Sequence, residues 1–292
     1  SDDGLAHDGS ISLDVEQVVD GDFSTLGDEQ VVDGDFSARV EQLTQPIDLL
    51  TDFIINSGGI IVDADTFSTA GGSNDGIKNA SLLTIGKSYK LVTAGSTTSS
   101  GFTIGDLSSN GTEYATGFGT SYFVATTTGL WVRQTTAGTT DLTTFTLEEV
   151  GVDWHTIGAA GGNTITFGDS FVEITKPTVD TVFIQQDYPV TLGASHKLTY
   201  TVVENTFTNA PAGHLALSSA SAYTNAGVSL DSSASLTPKT VYVTVVDISP
   251  VAALRFYSQG NGGYIKITDI SVQELGQDWT MTTGVSITDK AI

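Results

Sequence analysis

The sequence predicts an all-β fold: a tandem of antiparallel, jelly-roll-like β-sandwich domains behind an extended N-terminal arm. Three observations predict it. The stretch Glu148-Glu149-Val150-Gly151-Val152-Asp153-Trp154 returns 125 residues later as Gln273-Glu274-Leu275-Gly276-Gln277-Asp278-Trp279. Within that interval, Ile85-Gly86-Lys87-Ser88-Tyr89-Lys90-Leu91 returns as Leu192-Gly193-Ala194-Ser195-His196-Lys197-Leu198 at a shift of 107. Echoes of so long a period set the unit of folding. The third observation is strand patterning. In Lys197 to Val203, Leu198, Tyr200 and Val202 share one face, and Lys197, Thr199 and Thr201 share the other. That period of two marks a strand with one buried face.

Four segments follow in chain order: an arm over 1–51, sandwiches over 52–151 and 152–276, and a closing piece over 277–292 that opens or replaces a third module. In the arm, Glu16 to Ser24 recurs unchanged as Glu29 to Ser37, a step of 13 residues. Each copy pairs a β-prone dipeptide with an Asp-Gly turn signal. Too short to build a core, the duplicated segment reads as an anchor that packs on a neighbour. Next, Val40, Leu43, Ile47, Leu50 and Ile54 recur at steps of three and four, the spacing of a helical seam, which either serves assembly or packs a short amphipathic helix or linker on the first sandwich. Pro46 interrupts it and confines the helix to about Pro46–Phe53. From Thr51 onward, short β-prone runs alternate with Gly, Asn and Ser clusters, including Asn110-Gly111 and Gly260-Asn261-Gly262-Gly263. Many short, closely spaced strands imply a sandwich. The shift grows from 107 to 125, so the second unit carries a net 18 extra residues, assigned to Asn205–Val228 either as a long loop or as a longer pair of strands.

Composition narrows the functions. Charged residues make up 15%, with 34 acidic against 11 basic side chains and a net charge of −23. A surface so acidic repels phosphate backbones and anionic headgroups, which argues against nucleic-acid or membrane-surface partners. No apolar run approaches the ~20 residues of a bilayer span. The chain has no cysteine, which removes disulfide frameworks, thiolate metal sites and cysteine nucleophiles.

Catalytic signals are sparse. His7, His155, His196 and His214 are scattered with no metal-ligand spacing, and adjacent carboxylates such as Glu148 and Glu149 point to opposite faces of a strand. The chain is read as non-enzymatic and without a cofactor. A structural calcium ion is the one cofactor considered, with alternating pairs Asp20/Asp22, Asp33/Asp35 and Asp63/Asp65 as candidate ligands; none completes an EF-hand loop. For a ligand, the aromatic candidates are Trp131, within a strand, and Tyr223, within the inserted stretch. Trp154 and Trp279 occupy equivalent places at unit starts and read as core plugs.

The junction Ile270-Ser271-Val272-Gln273-Glu274-Leu275-Gly276-Gln277-Asp278-Trp279-Thr280, followed by Gly284 to Ala291, resembles the inter-module junction of repetitive bacteriophage tail-fibre and virion surface proteins. Those proteins are built from carbohydrate-binding-module-like jelly rolls. Val19 to Phe23 and Val32 to Phe36 resemble the opening strand of such a module. The resemblance implies a structural component of a virion surface or appendage, either tail fibre or capsid decoration, presenting β modules for host attachment. Its implied partners are other virion proteins, further copies of itself (a trimer in a fibre) and a host-surface glycan. The alternative is a carbohydrate-binding or adhesive module of a bacterial surface or secreted protein.

Overall fold

The computed structural model describes residues 26–43, 45–72, 75–109, 111–157, 162–177, 182–187, 191, 193–207, 214–217, 227–229, 233–245, 253–258 and 262–276. The arm contributes β1 (Leu26–Glu29) and β2 (Arg39–Glu41), then a one-turn helix, α1 (Leu49–Asp52). Next come β3 (Ile54–Asn56), β4 (Gly59–Ile61), β5 (Thr66–Thr69), β6 (Gly76–Asn79) and β7 (Ser88–Thr97). They are followed by β8 (Phe102–Gly105), β9 (Glu113–Thr116), β10 (Gly119–Val124), β11 (Leu130–Gln134) and β12 (Gly138–Val150). The second unit has β13 (His155–Ile157), β14 (Thr164–Phe167), β15 (Val172–Lys176), β16 (Val182–Asp187) and β17 (Ser195–Asn205). It ends with β18 (His214–Leu217), β19 (Gly227–Ser229), β20 (Ser235–Thr244), β21 (Ala253–Ser258) and β22 (Gly263–Leu275).

The strands form two pairs of antiparallel sheets. In the first pair, β10-β7-β12-β5-β4 packs over β3-β6-β11-β8-β9; in the second, β20-β17-β22-β15-β14 packs over β13-β16-β21-β18-β19. Adding ten to each strand number of the first pair reproduces the second. Each pair encloses its own core: Tyr89, Phe102, Phe145 and Leu147 in the first, Tyr200, Val202, Ile267 and Val272 in the second. The fold class read from the sequence is the one observed. The extra residues of the second unit are distributed differently from the expectation. Strand β18 starts 112 residues after β8, β21 starts 123 after β11, and β22 starts 125 after β12. The increment therefore accumulates over successive connections instead of residing in Asn205–Val228 alone.

The closing strands β12 and β22 explain why the echo is so regular. Buried positions Thr140, Leu142, Phe145, Leu147 and Val150 match Ile265, Ile267, Ile270, Val272 and Leu275, each 125 residues later. The phase change after Leu142 and Ile267 comes from a bulge in each strand's pairing, with β7 and β17 respectively. One extra residue lets the strand twist onto its core without turning its apolar face outward.

Both closing strands outrun a neighbour. β5 covers only Gly138–Asp141 of β12, and β15 covers only Gly263–Ile267 of β22. The remaining edge of each is completed by the arm. Arg39 lies opposite Val150 and Glu41 opposite Glu148; Leu26 lies opposite Leu275 and Glu29 opposite Gln273. The Gln42 amide donates to the Leu147 carbonyl at 2.8 Å, and the Gln30 amide donates to the Val272 carbonyl at 3.0 Å. Leu147 and Val272 are equivalent, so Glu41-Gln42-Leu43 is a diverged copy of Glu29-Gln30-Val31. Each copy buries its third residue, Leu43 or Val31, in the core of the unit it serves.

This corrects two expectations. The copy Glu29–Ser37 does not dock on a neighbouring subunit; it is built into the second sandwich of its own chain. Phe36 is fully buried, its ring 5.3 Å from Trp154 and 5.7 Å from Phe167. The Asp33-Gly34 turn presses on β22 so closely that a Cβ at Gly34 would sit 1.9 Å from the Ile270 carbonyl oxygen, which only glycine permits. The copy Glu16–Ser24 lies outside the described residues. The second correction concerns the helical seam. Among the described residues only Leu49–Asp52 is α-helical, capped by Asp48. Leu43 and Ile47 are buried in the first core, while Val40, Leu50 and Ile54 are exposed, so the five do not form one stripe. Val40 sits in β2 and Ile54 in β3; packing against the sandwich outweighs a pattern only two heptads long.

Two outcomes follow from these contacts. Phe36→Ala should destabilise the second unit by about 3–5 kcal/mol, read as a fall in the denaturant midpoint reported by Trp154 fluorescence; an unchanged midpoint would contradict the embedded arm. His196 takes the place of Tyr89, is 1% exposed, and burial lowers its pKa to about 4. The unfolded chain then binds more protons than the folded one between pH 6.5 and 4. Stability is full above about pH 6.5 and declines as pH falls through that window, by about 3 kcal/mol. His196→Tyr should remove this part of the pH dependence in acid-unfolding curves; an unaltered slope would exclude it.

Candidate functional site

Two units on one scaffold expose function as difference. Along the outer face of the second unit's larger sheet, Lys266 lies opposite Glu173 on one side and Glu204 on the other, and Tyr264 lies opposite Thr175. The corresponding register positions of the first unit hold Asp141, Thr66, Ser96 and Thr139. Phe171 adds an aromatic ring where the first unit has Ala64. The result is a cluster of two aromatic rings, an ammonium and two carboxylates that belongs to the second unit alone.

Its geometry is set by strand register. The Lys266 Nζ is 3.0 Å from Glu204 Oε2 and 3.5 Å from Glu173 Oε2. It lies 5.1 Å from the Tyr264 ring centre and 5.4 Å from that of Phe171, within reach of a cation–π attraction. The Tyr264 hydroxyl donates to Glu204 Oε1, and Thr175 Oγ1 donates to Glu173 Oε1 at 3.0 Å. The rim is fixed by Thr206, whose amide donates to the Tyr264 carbonyl and whose hydroxyl accepts from the Tyr264 amide, both at 2.9 Å. The Tyr264 hydroxyl and then the Lys266 ammonium hold Glu204 below the usual carboxylate range. Glu204 in turn raises both the Lys266 ammonium and the Tyr264 phenol. All three keep their ordinary charge at neutral pH. A glycosidase acid needs the opposite, a carboxyl kept protonated. What the cluster offers is fixed acceptors and a donor beside aromatic faces, the elements that orient a hydroxyl-rich ligand.

A second assembly joins the two units. The β14–β15 hairpin carries Asp169 at its tip, against the outer face of β7 and β10. Lys90 Nζ reaches its two oxygens at 2.8 and 3.0 Å, and Arg39 Nη2 reaches it at 3.4 Å. The Tyr122 hydroxyl also hydrogen-bonds to it. Lys90 and Tyr122 are cross-strand partners, so the seat is made by register. The Lys90 hydrogen bond leads the causes that lower the Asp169 carboxyl below its usual range, whereas burial and then Asp169 raise the Tyr122 phenol. Beside this clamp, a crevice of about 260 Å³ is lined by residues including Ile85, Lys87, Trp154, His155 and Phe167.

The residues singled out from sequence are placed as follows. Asp33 Oδ1 accepts from the Ala38 amide at 2.7 Å, and Asp35 Oδ1 accepts from Ser37; both organise the arm turn. Asp63 and Asp65 bond to each other's turn and to Thr66 at the β4–β5 hairpin. Among the described residues, no three His, Asp or Glu side chains gather closely enough to hold a metal ion. Asp20, Asp22 and Tyr223 lie outside the described residues. Trp131 is only 4% exposed, with the Arg133 guanidinium 4.9 Å from its ring centre. It is covered, and as an open stacking platform it is corrected. Tyr264, Phe171, Lys266 and Glu204 escaped the sequence reading. Comparing the two units position by position would have shown them, as large or charged residues replacing Thr, Ala, Asp and Ser.

No protein-family model and no curated protein matches the sequence. Among solved structures, the chain is similar to the tandem of two family 22 carbohydrate-binding modules from Paenibacillus barcinonensis Xyn10C, at 10% identity and a TM-score of 0.27, covering 86% of this chain and 99% of that one. It is also similar to a variant of a family 29 carbohydrate-binding module, at 16% identity and a TM-score of 0.27, covering 41% and 80%. A fucolectin from Morone saxatilis serum has 9% identity and a TM-score of 0.25, covering 85% and 99%. At such scores the description of the fold rests on the sheets themselves.

Asp169→Asn should lower the Tyr122 phenol toward its ordinary value without reaching it, because burial, the larger cause, persists. Ultraviolet titration of the tyrosines, with Tyr122→Phe to identify the signal, reads this; an unmoved titration would remove Asp169 from the seat.

Proposed function

We propose that this chain is a non-catalytic adhesive protein that binds a carbohydrate on the outer face of its second β-sandwich, with the first sandwich acting as a rigid support. The observation that carries the reading is the Tyr264–Lys266–Glu204–Glu173–Phe171 cluster, confined to one of two otherwise matching units. On a shared scaffold, residues needed for folding recur in both copies, whereas a recognition set is free to occur in one. Sugar rings present C–H faces to aromatic side chains and hydroxyls to ionised carboxylates and ammonium groups, and this cluster supplies both. An extracellular or particle-surface location fits that role, and the junction's resemblance to virion surface proteins makes a phage fibre or capsid decoration the setting we favour. In that setting the sandwiches would project a host-facing surface, alone or as a self-assembled trimer.

A glycan array probed with the intact chain tests the reading. Binding to a defined glycan class is expected. Removal of ring and carboxylate together, in Tyr264→Ala/Glu204→Gln, should weaken it by at least about tenfold, the equivalent of about 1.4 kcal/mol. Binding unaffected by these changes would place the site elsewhere. A purely structural role is the second reading, favoured by the arm that ties both sandwiches together. Co-purification with particles and no glycan affinity would select it.

A further inference from the structure

The two units enter their larger sheets by the same turn but with different side chains. Gly86 and Gly193 share a φ of 86°. The Gly86 amide donates to the Ala125 carbonyl, and the Ala125 amide donates back to Lys87; Gly193, Val245 and Ala194 repeat the pattern. On this shared frame Lys87 stands where the second unit has Ala194. Ser88 and Ser195 then face Val124 and Thr244 across the strand pair. The Ser195 and Thr244 hydroxyls share a hydrogen bond of 3.1 Å. Val124 offers Ser88 no such group, and the Ser88 hydroxyl is buried without a hydrogen-bond partner, the residue being 4% exposed. A buried hydroxyl left in this state costs stability, and a threonine at position 124 is all that the second unit's solution would require.

Ser88 shares the outer face of β7 with Lys90, because the alternate residues Tyr89 and Leu91 belong to the core. It lies in the wall of the crevice of about 260 Å³ between the units, together with Lys87 and the apolar Ile85, Val150, Trp154 and Phe167. Ile85 is 62% exposed. The Trp154 Nε1 is engaged by the Asp33 carbonyl at 3.0 Å, so this indole contributes its carbon frame to the wall. Lys87 Nζ is 3.2 Å from Glu149 Oε1, with 38% of its side chain exposed. An ammonium carries three donors, so a ligand oxygen can join that pair. Glu149 recurs in the second unit as Glu274, where Ala194 supplies no cation; the glutamate therefore does not by itself call for the lysine.

We propose that this crevice binds a small organic carboxylate with an apolar ring or chain, one molecule per chain. The carboxylate accepts from the Ser88 hydroxyl and the Lys87 ammonium at once, since it has about four acceptor positions and its charge strengthens each bond. In a chain of net charge −23, a local cation is what allows an anion to settle. The body of the ligand rests on Ile85 and Val150 of the first unit and on Trp154 and Phe167 of the second, so it bridges them. At the ~30 Å³ that a water molecule takes in the liquid, the space holds about nine non-hydrogen atoms, the size of benzoate. The site is separate from the Tyr264 cluster, so either reading can fail alone.

Titration of the ¹⁵N-labelled intact chain with benzoate, followed by NMR, tests the site. The amides of Gly86, Ser88, Trp154 and Thr156 should move with a single dissociation constant. Benzamide and benzylammonium, of the same shape without the negative charge, should bind at least about tenfold more weakly. Ser88→Ala should weaken benzoate by about tenfold. Val124→Thr, which gives Ser88 the partner that Ser195 has, should weaken it by about threefold with every wall residue in place. Glycan binding should persist in both variants. Unmoved crevice amides, benzamide binding as well as benzoate, or full benzoate affinity in both variants would overturn the proposal.

Discussion

Hydrogen bonding along the open half of each closing strand is the constraint on which the rest of the structure depends. A thirteen-residue strand beside a neighbour of four or five leaves a row of backbone donors and acceptors at the edge of a packed sheet. Leaving such groups unpaired is costly, and an open edge invites pairing with other chains. This chain satisfies both edges from one N-terminal segment. Because that segment must reach β22 with residues 26–30 and β12 with residues 39–42, a single stretch of backbone is held at both sandwiches. The relation between the two units is thereby set twice, once by the arm and once by Asp169 on Lys90, Tyr122 and Arg39.

The arm also explains a feature of the charge pattern. With 11 basic residues against 34 acidic ones, a lysine or arginine is scarce. Lys90 and Arg39 are spent on one carboxylate at the junction, and Lys266 on two carboxylates in the second unit. Exposed ion pairs contribute little stability singly, so their value here is positional. They specify which surfaces of a Thr- and Ser-rich molecule meet. Similar logic separates scaffold from recognition: the five buried positions of the closing strands match between units, while the outer-face residues around Tyr264 do not.

The sequence by itself determined the fold class, because burial on alternate residues and the echoes at 107 and 125 are properties of the chain read in one dimension. It also located the echoing strands, since Leu147 and Val272 must face a core whichever strand lies beside them. Tertiary structure decided the rest. Leu43 and Ile47 follow a helical spacing, yet they plug a sandwich, because the edge of β12 and the cavity beneath it reward an extended chain more than one turn of helix does. Glu29 to Ser37 looks like an anchor for another molecule, yet the closing-strand residues that Glu29 meets lie 242 and 243 residues along its own chain, a distance no local pattern encodes. Tyr264, Lys266, Glu204 and Phe171 come together only when β15, β17 and β22 are set in register, and pairing between remote strands is the step that local sequence leaves open.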